Sequence, residues 1–480
     1  MSLEELVSDI APDLIFNDFT GKNKVGAVAG GVGALCAVGA LGLTGPIAVP
    51  LALAGGVLAG AKGESSVKST VRSIGSIVGS LASGVGSVVG HASNGITAGV
   101  LGFIDVFKSD EDFFNRGVER LENKQYAEAI EDFSKAIEIN RQYGEAYYLR
   151  GCIYSQISQY QAAIKDFSKV IKLDPECDEA YFLRGCNLSD MRDYQGAIKD
   201  YTQAIKINPQ HINAYCNRGH LFAAEKNYNA AIFDYTQSIL IDSTNQDIYE
   251  RRGRIYLEIK DYKSAIADYT QVIKLDKRKF NVYFIRGCIF FDLQDYDAAI
   301  TDFTYLIENH YCIAESYLHR ANAYLANQKF EKAIVDFNQV INIRPNDVST
   351  ILSRADARAM LKDYNQAIAD YTLAIKNKSE CVEAYFKRGN VRTLKKDYRG
   401  AIKDYNQVLQ IDQNYAFAYV QLGYVRKQQG KLQEAVENLK QAISVFYKKS
   451  MPNEIKKIQQ EIRILENEIK NTPWWKMRIF

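Results

Sequence analysis

From Asp110 to Lys449 the chain repeats itself every 34 residues, ten times, without insertion or deletion. A fixed period of this size dictates architecture, because one short unit cannot bury its own apolar face and has to stack on its neighbours. The unit from Gly144 reads GEAYYLRGCIYSQISQYQAAIKDFSKVIKLDPEC, and the next, from Asp178, reads DEAYFLRGCNLSDMRDYQGAIKDYTQAIKINPQH. The remaining units start at Asp110, Ile212, Gln246, Phe280, Ala314, Val348, Val382 and Ala416. Apolar residues fall at helical spacing in both halves, a polar turn lies between them, and Pro175, Pro209 or Pro345 stands near a unit's end. The pattern describes two antiparallel helices and a stop.

Within a unit the fourth position is aromatic in nine copies, with Ile351 the exception, and the eighth is glycine or alanine, from Gly117 to Gly423. The twentieth is alanine throughout, from Ala129 to Ala435. Small residues at these places let two helices approach closely. The whole pattern resembles the tetratricopeptide repeat family, in the style of large bacterial members, and the resemblance covers residues 110–449. It implies an all-α fold, an α-solenoid superhelix of ten helix-turn-helix units. One departure recurs. Where the family has Leu at position seven, nine units have Arg, and the same nine have Asp at position 23, as in Arg150 with Asp166 and Arg184 with Asp200. The tenth unit loses both together, with Leu422 and Asn438. Groups that come and go together are most simply partners in charge-assisted pairs, within a unit or between units.

The resemblance also implies a concave surface lined by the first helix of each unit, with contacts at positions two, five, nine, twelve and thirteen. Transferred to this chain, position five holds Tyr148, Phe182, Phe284, Leu318, Leu352 and Phe386, and position nine holds His220, Arg254, Asn322, Asp356 and Asn390. The mixture suits an extended or helical peptide partner; the alternative is that the position-five side chains are core between repeats. The family's Lys and Asn clamp for a C-terminal carboxylate is not reproduced, since Leu318 and Phe386 stand where its lysine would be.

No catalytic chemistry is written in the chain. The five histidines make no metal-ligand spacing, and neither a phosphate-binding loop nor a nucleophile elbow is present. The expectation is a non-enzymatic protein without a cofactor. Fifty-nine Lys and Arg against 57 Asp and Glu remove the long-range pull on nucleic acid. Eight scattered cysteines form no disulfide framework, and Cys152, Cys186 and Cys288 share position nine as small apolar residues of a reducing compartment.

Ahead of the repeats the composition changes. Residues 1–24 carry early acids and lack the pattern of a cleavable secretory signal. Residues 25–61 contain no charge, enough for one transmembrane helix or a hairpin of two shorter ones, and Thr44-Gly45-Pro46 favours the hairpin. Lysines flank both ends, which places both in the cytoplasm. Gly26 with Gly30 and Gly56 with Gly60 keep the small-x-x-x-small spacing of helices packed in lipid, as do Gly75 with Gly79 in the glycine- and serine-rich amphipathic stretch 62–109. This region resembles glycine-zipper segments of membrane-inserting proteins. After the repeats, residues 450–470 read as a helix capping the last unit, and 471–480 hold Trp474 and Trp475, suited to a membrane interface or a docked partner.

Together these features lead to a scaffold or adaptor that binds a protein or peptide in the groove, with residues 25–104 on a membrane and the repeats in the cytoplasm. Two alternatives stay open: a membrane-inserting or pore-forming effector regulated by its repeats, and a soluble, cytoplasmic, homo-oligomeric assembly factor.

Overall fold

A computed structural model describes residues 109–448 and 451–471. Among these residues every regular element is an α-helix, twenty-one in all, and they form a tetratricopeptide-like solenoid. The membrane hairpin, the glycine pairs at 26/30, 56/60 and 75/79, and Trp474 and Trp475 lie outside the described residues.

The chain divides after Leu275 into two compact units. The first holds five helix pairs: α1 (Asp110–Glu122) and α2 (Tyr126–Ile139), α3 (Gly144–Gln156) and α4 (Tyr160–Leu173), α5 (Asp178–Asp190) and α6 (Tyr194–Ile207), α7 (Ile212–Ala224) and α8 (Tyr228–Ile241), α9 (Gln246–Glu258) and α10 (Tyr262–Leu275). The second holds five more: α11 (Phe280–Asp292) and α12 (Tyr296–Glu308), α13 (Ile313–Ala326) and α14 (Phe330–Ile343), α15 (Val348–Met360) and α16 (Tyr364–Asn377), α17 (Val382–Leu394) and α18 (Tyr398–Ile411), α19 (Ala416–Gln428) and α20 (Leu432–Lys448). A last helix, α21 (Pro452–Asn471), follows them.

Each pair is closed by the same local chemistry. The first helix ends on a left-handed residue at position fifteen: φ is +60° at Lys124, +59° at Lys226 and +61° at Lys362, and only the tenth repeat places a glycine there, Gly430. At the first of these, the Lys124 amide donates to the Leu121 carbonyl and the Gln125 amide to that of Arg120, the paired bonds of a Schellman stop. Asp193, Asn227, Asp295, Asp363 and Asp397 then cap the second helix by accepting from a backbone amide three residues on. Between repeats, Asn140, Asp174, Asn208, Asp242 and Asp412 accept from the amide two residues on, a turn that stops one helix before the next begins. The junction at Asn309–Cys312 differs. There α12 stops early, and His310 and Cys312 both take positive φ.

The core follows the repeat. The alanine at position twenty is fully buried in all ten copies, and so is the ring or Leu439 at position 24. That ring lies on the small residue at position eight: a Cβ added to Gly117 would sit 2.8 Å from Phe133, and one on Gly389 2.6 Å from Tyr405. The first helices of neighbouring repeats touch at α3 with α5, α11 with α13 and α17 with α19, so they line the inner side and the second helices form the outer side.

Candidate functional site

The Arg and Asp of positions seven and 23 meet within each repeat. In all nine, the Arg Nε and Nη2 donate to the two carboxylate oxygens at 2.6–3.0 Å. The remaining nitrogen crosses to the preceding repeat: Arg150 Nη1 reaches Ser134 at 2.8 Å, Arg184 reaches Ser168 at 3.0 Å, and Arg388 reaches Thr372 at 2.9 Å. The Ser134 and Thr372 hydroxyls pass their own protons to the carbonyls of Ile130 and Ile368. In repeats two, four, five, six and seven the guanidinium faces two rings, as Arg252 does between Tyr249 and Tyr256, 5.8 Å from each, whereas Arg184 faces Tyr181 alone, with Leu188 in the other place. In repeats one, eight and nine the second ring is replaced by another arginine, and Arg120, Arg358 and Arg392 join the same Asp at 2.6–2.8 Å. Burial lifts the Asp234, Asp268 and Asp302 carboxyls above their ordinary value, with the arginine pulling the other way. These carboxylates have their lone pairs committed on both oxygens, which suits cross-linking helices better than meeting a ligand.

The groove residues expected from the resemblance separate by depth. Phe182, Phe284, Leu352 and Phe386 are buried, and Tyr148 and Leu318 are half-buried. Phe182 packs on Tyr201 and His211 with centroids at 5.8 and 4.8 Å, and Phe284 packs on Phe303 at 5.8 Å and on His319 of the next repeat at 4.9 Å. Burial raises the Tyr148 hydroxyl far above its ordinary pKa and pushes His319 down to about 4. Position nine meets position six of the following repeat. His220 lies 3.3 Å from Arg251, and Asp356 pairs with Lys387 at 2.8 Å. Burial and the Arg251 charge both lower the His220 pKa. Asn390 accepts from the Tyr405 hydroxyl at 2.9 Å, Arg254 pairs with Glu250 at 3.4 Å, and Asn322 is half-buried.

Two partners in these networks were not singled out by the sequence reading. Hydroxyl or amide side chains at position 25 recur from Ser134 to Thr372, and position 24 is tyrosine where Cys186, His220, Arg254, Asp356 or Asn390 stands at position nine.

What the inner side leaves accessible at position two is polar, with Asn213, Asn281 and Ser349 exposed beside the acids. Glu111, Glu145 and Asp247 at position two are exposed, as is Arg251. Glu179 is half-buried and borders an open cleft of about 370 Å³ that Asp178, Asn208, His211, Asp242 and Asn245 also line. His211 Nε2 lies 3.2 Å from the Glu179 carboxylate, and Asn208 donates to Asp178 at 2.7 Å. In the second unit Glu315 pairs with Arg344, and Glu383 with Lys387 at 2.7 Å. Among the described residues no group of three or more His, Cys, Asp or Glu could hold a metal ion, and no helix is long and apolar enough to cross a membrane.

No curated protein sequence matches the chain. Solved structures similar to it include the C-terminal part of a TPR repeat-containing protein from Cytophaga hutchinsonii, 21% identical, covering 50% of this chain and 98% of that one with a TM-score of 0.43. MamA from Desulfovibrio magneticus RS-1 is 20% identical over 35% of this chain and 96% of that one, TM-score 0.34. YrrB, described as a TPR protein with an unusual peptide-binding site, is 19% identical over 38% and 95%, TM-score 0.35. Family models match directly: the tetratricopeptide repeat at residues 111–143, 144–177 and 314–347, the TPR repeat at 191–226 and 389–430, and a further tetratricopeptide repeat model at 212–245, 246–279, 280–308 and 418–448. These segments together span more than half of the chain, which therefore belongs to the tetratricopeptide repeat family.

Proposed function

We propose that the protein is a non-enzymatic scaffold whose repeats hold a protein or peptide partner on their inner side while residues 25–104 tether it to a membrane, with the repeats in the cytoplasm. The observation that carries the partner reading is the division of labour on the first helices. Most of their position-five side chains fill the space between repeats, with Tyr148 half-buried, whereas position two keeps Glu111, Glu145 and Asp247 in solvent and Glu179 on the rim of a cleft that Asp178 and Asp242 also line. A partner segment that alternates apolar and basic residues meets both features, the apolar ones on Tyr148 and the basic ones on the carboxylates. The tether reading rests on the uncharged run 25–61 and its lysine flanks.

Selection of a random peptide library on the full chain tests the partner. Sequences rich in Lys or Arg among apolar residues are expected, and the Glu145→Lys, Asp247→Lys variant loses them; enrichment of acidic peptides instead overturns the reading. Flotation with neutral phosphatidylcholine vesicles tests the tether. The full chain floats and resists high salt and carbonate while a chain starting at Lys108 stays down. If both stay down, residues 25–104 are a protein-packed element and the homo-oligomeric alternative takes over.

A further inference from the structure

The outer side of the first compact unit carries a surface that the partner groove does not use. Positions 18, 22, 26 and 29 of the second helix all face outward, and across α4, α6, α8 and α10 not one of these sixteen places is acidic. Lys165 and Lys172 project from α4, Lys199 and Lys206 from α6, and Lys274 from α10, all exposed. Among the described residues none of the five has an ion-pair partner. The one acid within each of these helices, Asp166, Asp200, Asp234 or Asp268, is buried under its arginine and contributes no negative surface, while Asp174 just past α4 is exposed and Asp276 just past α10 is half-buried. Between the lysine-bearing helices, α8 places Phe233 and Leu240 at the same two positions, 58% and 73% exposed. The neighbouring outer helix α2 and the outer helices of the second unit are mixed instead, with Glu131 and Glu138 on α2 and Asp297, Glu308, Glu331 and Glu437 in the second unit at these places. In a chain whose net charge is only +2, lysines on three of four successive helices with no acid at the outward positions are a local excess, not a reflection of composition.

We propose that this face rests on an anionic lipid surface. The lysines meet headgroup charge, and Phe233 and Leu240, seven residues apart on one helix face, enter the boundary between headgroups and acyl chains. Charge complementarity selects an anionic ligand, and the spread of lysines over three helices with an apolar pair on the fourth matches an extended plane better than a single bound segment. Seating the second helices on lipid turns the first helices, with their acidic inner rim, away from the bilayer, where a basic partner is not captured by the same headgroups. This inference does not depend on residues 25–104 inserting, because insertion is read with neutral lipid and the lysine face with the increment that anionic lipid adds.

The test is co-sedimentation of the full chain with phosphatidylcholine vesicles and with vesicles containing roughly 30% phosphatidylserine, at low and high salt. The partition coefficient is expected to rise at least tenfold with the anionic lipid and to lose that rise in high salt. A Lys165→Glu, Lys172→Glu, Lys199→Glu, Lys206→Glu variant falls to the neutral-vesicle value. Phe233→Ser, Leu240→Ser keeps the salt dependence but partitions several-fold less, and unchanged helical circular dichroism shows that both variants are folded. Equal partitioning of wild type on the two vesicles overturns the proposal, as does an anionic increment that survives charge reversal. Charge reversal that instead abolishes binding of an acidic protein, with no effect on vesicles, also overturns it and assigns the face to that protein class.

Discussion

The arginine at position seven of the fifth repeat, Arg252, is held in four directions at once: by its own carboxylate, by a hydroxyl of the preceding repeat and by two rings. Removing the carboxylate strands a charge that is about four-fifths buried at Arg184, whereas removing both members leaves apolar packing. Asp200→Ala is therefore expected to cost about 2–3 kcal/mol, and Arg184→Leu with Asp200→Asn, the pair that the tenth repeat itself uses, less than half of that, as measured by urea unfolding. The co-loss at Leu422 and Asn438 makes this pairing readable from sequence. The hydroxyl partner was not readable in the same way, because Ser and Thr at an outward position pass as ordinary helix surface. A second residue-scale expectation concerns His319, which is packed between Phe284 and Phe303 and titrates at about 4 instead of 6.5. Only the unfolded chain takes up this proton between those values, so the contribution is complete above pH 6.5 and is lost as pH falls toward 4, by up to about 3 kcal/mol. His319→Leu should flatten the melting temperature against pH across that window relative to wild type, with the Glu315 carboxylate nearby titrating in both proteins.

At the scale of the helix pair, the period of 34 places every helix start to within a residue, because a gapless repeat transfers each boundary to the next copy. Depth was less legible. Position five looked equally like groove and core, since an aromatic side chain on the inner side serves either, and only the stacked neighbour decides which. The left-handed position fifteen escaped notice for a related reason: lysine, serine, arginine and glutamine occupy it, so the usual glycine signal is missing in nine repeats out of ten. A non-glycine residue in this conformation costs about 1 kcal/mol against glycine. Lys226→Gly and Lys260→Gly are expected to stabilise by several tenths of a kcal/mol each, after the greater freedom of glycine in the unfolded chain is subtracted. Gly430→Ala, which meets no atom within 4 Å but keeps φ near +76°, should destabilise by about 1 kcal/mol, and thermal unfolding of the three variants checks the sign.

At the scale of the whole molecule, a stack of repeats has exposed apolar ends, and the C-terminal end is closed by α21. Ile455, Ile458, Ile462 and Leu465 are buried in one cluster with Val436, Leu439 and Phe446, and Glu461, almost fully buried, pairs with Lys427 at 2.9 Å. The outward side of α21 is mostly polar, so it ends the stack instead of extending it. Four buried aliphatic side chains are worth roughly 1.5–3 kcal/mol each, an upper bound that still exceeds the margin by which a terminal repeat is held. Contacts run only between neighbours, so the loss of the cap should stay local. A chain ending at Ser450 is expected to exchange the backbone amides of α19 and α20 at least tenfold faster, with those of α3 to α6 unchanged, as followed by hydrogen exchange. Uniform acceleration along all the repeats would mean that the array melts as one cooperative body, and the nearest-neighbour description would then fail.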